Sequence, residues 1–96
     1  MSELQNKILE RLSAQGINLD LNSGYLRHKW LLAAALDLHC AAGGRLEDAL
    51  ELVQNYDSPP LDVATAVGNI IVETAVVSRA ADLDMIQAAY NWIDRA

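Results

Sequence analysis

The sequence predicts an all-α fold, a compact bundle or orthogonal array of four to five short helices, with residues 1–96 forming a single domain. Three observations carry this. Apolar residues recur at helical spacing through most of the chain. Capping patterns and glycines cut that periodicity into helix-length segments. The connectors between them are short and use Asn, Asp, Ser, Gly and Pro, the residues that turns select for.

The first helix is expected over Ser2 to Ala14. Ser2 with Gln5 three residues later is a capping-box pattern. Leu4, Ile8, Leu9 and Leu12 share one face, and Gly16 suits a left-handed cap at the end. The connector INLDLNSG follows, with Asn22 or Ser23 placed to cap the second helix. That helix begins at Tyr25 and stops at Gly43-Gly44.

The third helix is expected over Arg45 to Tyr56, where Leu46, Ala49, Leu50 and Val53 form one apolar stripe. DSPP then reads as a turn, with Ser58 as cap and Pro59 at the first helical position, where its missing N–H costs nothing. The fourth and most apolar helix is expected from Leu61 to about Ala81. Its NIIVETAVV run is β-branched and would also suit a strand, but the uninterrupted length favours helix. The last helix, Asp84 to Arg95, starts with a second box-like pattern, DMIQ, and has Ile86, Ala89, Tyr90 and Ile93 on its apolar face.

Of the 96 residues 52 % are hydrophobic, enough for a globular fold. A chain of this length buries roughly 60 to 65 % of its unfolded surface, so one small core is expected. One cysteine permits no internal disulfide, and the N-terminus is charged without an apolar h-region; the reading is a reducing, cytoplasmic protein. The apolar stretch from Leu61 to Ala81 is interrupted by Asp62, Asn69, Glu73 and Arg79. A span needs about 20 predominantly apolar residues, so no membrane association is expected.

The net charge of −6 is uneven: residues 1–45 hold four acids against five bases, residues 46–96 nine acids against two bases. An acidic surface repels nucleic acid and attracts basic partners. The second helix, the Gly43-Gly44 turn and the third helix superficially resemble a helix-turn-helix. The third helix carries three acids and no base after Arg45, the wrong sign for phosphates, so no direct nucleic-acid binding is expected.

YLRHKWLLAAALDLHCAAGG gathers His28, His39, Cys40 and Trp30. The two histidines are eleven residues apart, about 16 Å along a helix at about 1.5 Å per residue, and cannot converge on one metal. Cys40 points about 100° away from His39, so no base stands beside it. This is a core helix with polar passengers, and no metal or cofactor is expected. Trp30 falls on the narrow polar side with Arg27 and Asp37, where a large aromatic suits either an interface or packing under the connector.

The functional reading follows from charge. Glu47, Asp48 and Glu51, with Asp57 beyond them, form a dense acidic patch; together with Trp30 and Asp37 they are the candidate partner-binding residues. The expectation is a small acidic protein-interaction module: an adaptor, regulator or inhibitor of a basic or nucleic-acid-binding partner, leaning away from catalysis of its own. Ala64, Gly68, Ile71 and Ala75 lie close together on the fourth helix and suggest self-association as a homodimer. Two alternatives stay open. One is a metal-dependent enzyme or enzyme subunit using Asp62, Asn69 and Glu73. The other is a structural subunit acting only by self-association.

Overall fold

The computed structural model describes residues 1–20 and 25–95. They form five helices in a bundle-like arrangement: α1 (Glu3–Ala14), α2 (Tyr25–Ala41), α3 (Leu46–Gln54), α4 (Val63–Ala80) and α5 (Met85–Arg95). No strand occurs among the described residues, and the β-branched run of residues 69–77 is helical throughout. Its single-turn spacing of Ile70, Thr74 and Val77 is satisfied by the helix, and Thr74 Oγ1 donates to the Ile70 carbonyl at 2.7 Å.

Local signals place the helix starts. Ser2 is extended and its Oγ accepts from Gln5 N–H at 3.1 Å, one half of the expected capping box. Asp84 Oδ1 accepts from Gln87 N–H at 2.8 Å at the start of α5. At α4 the expectation is corrected. Asp62, not Ser58, is the N-cap, accepting from Thr65 N–H at 3.2 Å. Ser58 and Pro59 lie outside the helix. An ionised Asp beside orphan N–H groups is a strong cap, and it outcompetes the Ser-Pro signal four residues upstream. Asn22 and Ser23, the expected caps of α2, lie outside the described residues.

Three helices end in the same way. The residue after the C-cap turns left-handed, and two N–H groups reach back to the last carbonyls. After α1 this residue is Gly16 at φ 76°, with Gly16 N–H on Ser13 O and Ile17 N–H on Leu12 O. After α2 it is Gly43 at φ 97°, with Gly43 N–H on Cys40 O and Gly44 N–H on His39 O. After α4 it is Asp82 at φ 57°, with Asp82 N–H on Arg79 O and Leu83 N–H on Ser78 O.

The helices pack sparingly. α1 lies on α5, where the Lys7 ammonium stands 5.6 Å from the centre of the Tyr90 ring, and α4 meets α5 at a corner. α2 and α3 pack on no other helix beyond slight contact among the described residues. No described side chain is fully buried, so the small core expected from composition is not closed within one chain. The radius of gyration is 14.8 Å, against about 12.5 Å for a closed domain of this length.

α4 also differs from expectation in one respect. Because the helix starts after Asp62, its 18 residues hold only Glu73 and Arg79 as charges, at a mean hydropathy of 1.3. By length and composition alone it is long and apolar enough to cross a membrane. At about 1.5 Å per residue it spans about 27 Å, slightly less than the roughly 30 Å of a bilayer's hydrocarbon core.

Candidate interaction surfaces

The acidic surface is built on α3. Its apolar stripe forces Glu47, Asp48 and Glu51 off to the polar side, and all three are exposed, as is Asp57 just beyond the helix. Glu47 and Asp48 also lie in the first turn, where the helix dipole favours negative charge. The four carboxylates are not equivalent. Arg45, the N-cap residue, makes no capping bond with its side chain. It turns instead onto Asp48, with Nε 3.2 Å from Oδ2 and a terminal nitrogen 3.0 Å from Oδ1. That two-point pairing raises the Arg45 pKa above its ordinary value. Glu47, Glu51 and Asp57 have no ion-pair partner among the described residues. Sequence reasoning missed the Arg45–Asp48 pair, although an i, i+3 spacing of opposite charges signals it.

Trp30 is 51 % exposed on α2. The Arg27 guanidinium lies 4.6 Å from the centre of its ring, and the same side chain donates to Asn18 O at 3.2 Å. Arg27 thus ties α2 to the connector and holds the indole face at a fixed inclination. Asp37 is exposed on the same helix. No described contact joins Trp30 to the α3 acids, so they are separate parts of the surface. Trp92 on α5 is about half exposed.

Between α2 and α4 runs an apolar groove of about 590 Å³, with Leu31, Ala35 and Leu38 on one wall and Ile70 and Val77 on the other. Its polar groups are His39, Thr74 and Glu73. His39 Nε2 is 2.9 Å from Arg45 O, so this nitrogen carries the proton and donates. The remaining histidine, His28, is exposed, and Cys40 is a free, exposed thiol. Of the two rings, His39 is the partly buried, hydrogen-bonded one and His28 is exposed.

The stripe of Asp62, Asn69 and Glu73 does not converge. Asp62 serves as the α4 cap, and hydrogen bonding from Thr65, side chain before backbone, holds its pKa below the ordinary carboxylate value. Glu73 stands eleven residues further on, about 16 Å along the axis. Among the described residues, no three His, Cys, Asp or Glu come together where they could hold a metal ion.

The opposite side of α4 from the groove is open. Ala64, Gly68, Ile71 and Ala75 lie there, with Val67 and Val72 flanking them, and every one is exposed. A Cβ built on Gly68 meets nothing within 4 Å. Comparison with known protein families, curated protein sequences and solved structures finds no match to this chain.

Proposed function

We propose that this chain is a small cytoplasmic protein-interaction module, an adaptor, regulator or inhibitor that docks a basic or nucleic-acid-binding protein and performs no catalysis itself. The observation that supports it is the α3 surface: Glu47, Glu51 and Asp57 are exposed and unpaired among the described residues, and only Asp48 is neutralised by a nearby base. Unpaired carboxylates on a short exposed helix set up a field that speeds encounter with a positive patch. The exposed Trp30, inclined by Arg27, supplies the kind of rigid aromatic that anchors interfaces.

The test is capture of partners on the immobilised chain, eluted in a salt series, beside a variant carrying Glu47→Lys, Asp48→Lys and Glu51→Lys. The expected result is a basic protein released as salt rises and absent from the variant. Capture that ignores both salt and charge reversal shows that the acids serve solubility alone, and the proposal fails.

A further inference from the structure

We propose that the open face of α4 is a two-fold seam between two copies of this chain, with the α4 helices antiparallel. This proposal uses a different surface from α3 and stands independently of the reading above.

The first argument is area. The accessible surface of the chain is 7992 Å². A closed monomer of 10.5 kDa exposes about 5,400 Å², so about 2,500 Å² per chain awaits cover. A second copy seated on α4 takes part of this excess out of water, in the direction of obligate homodimers, which bury about 2,000–5,000 Å² in total. Among the described residues, α4 carries more of the exposed large apolar side chains than any other helix, Val63, Val67, Ile70, Ile71, Val72 and Val76, and a helix apolar around most of its circumference is usually found buried. A second copy brings the same uncovered helices in equal number, so each satisfies the other.

The second argument is the pattern on α4. The face holds Ala64, Val67, Gly68, Ile71, Val72 and Ala75, and its order of spacings is the same read from either end. A two-fold axis passing between positions 69 and 70 therefore superposes the face on itself with the helices antiparallel. It sets Ala64 against the partner's Ala75, Val67 against the partner's Val72, and Gly68 against the partner's Ile71. The Ile71 side chain, 50 % exposed in the single chain, enters the notch above the partner's Gly68, where the space for a Cβ is empty. Such a self-complementary patch is what an isologous interface requires.

The third argument is charge. Two chains of net charge −6 repel. None of the six face residues is charged, and Glu73 lies on the far side of the helix among the groove residues. The six face residues themselves therefore oppose no like charges.

The experiment uses the full chain with Cys40→Ser, to remove the exposed native thiol, and adds Ala64→Cys or Ala75→Cys. Each variant is refolded alone and the two are refolded together, then oxidised mildly and run without reductant; light scattering of the unmodified chain gives the mass. The expected result is a dimeric mass, a disulfide-linked dimer from the mixture, and none from either variant alone. In the antiparallel seam, identical positions at its ends are about 16 Å apart, beyond the roughly 4.4–6.8 Å between Cα atoms that a disulfide tolerates.

Cross-linking of each variant with itself overturns the proposal in favour of a parallel pair. A dimeric mass with no cross-link in any sample overturns it by placing the interface elsewhere. A mass near 10.5 kDa with full helical circular dichroism overturns it outright. Helix formation only with phosphatidylcholine vesicles overturns it by making α4 a membrane helix. None of these outcomes alters the salt and charge-reversal test of α3, so the two proposals fail separately.

Discussion

The imidazole of His39 occupies the space that a side chain at Gly44 would need. A Cβ at Gly44 would fall within contact distance of three ring atoms, while Gly44 N–H donates to His39 O at 2.8 Å. The ring then passes on to Arg45 O through Nε2. One histidine thus closes the end of α2 and fixes the entry into α3, which carries the acidic surface. Gly44→Ala should destabilise the chain by about 1–3 kcal/mol, the usual cost of overpacking. Urea unfolding measures this. His39→Ala in the same chain should recover part of the loss, because the two positions share one clash. Equal stability of Gly44→Ala and the unmodified chain would show that the ring moves aside freely.

The left-handed residues after α1 and α4 give changes of opposite sign. Gly16 has open space around its Cβ direction, so Gly16→Ala costs only its backbone conformation, about 1 kcal/mol. Asp82 holds the equivalent position after α4 at φ 57° with a side chain that disfavours it. Asp82→Gly should therefore stabilise by about 0.5–1 kcal/mol. Thermal unfolding of both variants checks the pair, and a destabilising Asp82→Gly would mean that its carboxylate makes an unrecognised stabilising contact.

Asp62 makes the stability of α4 depend on pH. Its folded pKa lies below the ordinary value because hydrogen bonding from Thr65 favours the carboxylate. A depressed pKa contributes stability that is fully present above the unfolded value, about 3.9, and is lost as pH falls through the folded value. Stability should thus decline as pH drops below about 4, and Asp62→Asn should flatten this part of the curve. Unfolding midpoints measured between neutral pH and strong acid decide it; identical acid limbs for the two chains would remove Asp62 from the account.

Much of this architecture was legible in the sequence, and the exceptions have physical causes. Ser2, Gly16 and Gly43 act as their residue types announce, because a cap or a left-handed turn is a local requirement. Asp82 was not legible, since an aspartate in a left-handed turn looks like any polar loop residue. Ser58-Pro59 misled because a stronger cap, Asp62, stands just downstream. For the surfaces, the exposed α3 acids could be read from periodicity, whereas the Arg45–Asp48 pairing needed side-chain geometry. The open core was the least legible feature. Periodicity says which face of a helix avoids water, and Val67, Ile71 and Val72 share such a face. It does not say whether the cover comes from the same chain.

That distinction gives Gly68 its diagnostic value. In the single chain, a Cβ there meets nothing within 4 Å beyond the helix's own neighbouring backbone, so a side chain at this position starts into open space. Glycine is also a poor residue in a helix interior, and Gly68→Leu should add up to about 0.8 kcal/mol of helix propensity. If the face stays in water, the variant is therefore as stable as the unmodified chain or more so. If the partner's Ile71 fills the notch, leucine drives the two α4 helices apart. The seam predicts the second result: loss of the dimer by sedimentation and, because the α4 face is then left uncovered, loss of helicity on dilution. It also predicts that the unmodified chain's melting temperature rises with protein concentration, since association couples to folding by mass action. A Gly68→Leu chain that melts higher than the unmodified one, at a temperature independent of concentration, would show that the α4 face needs no second copy.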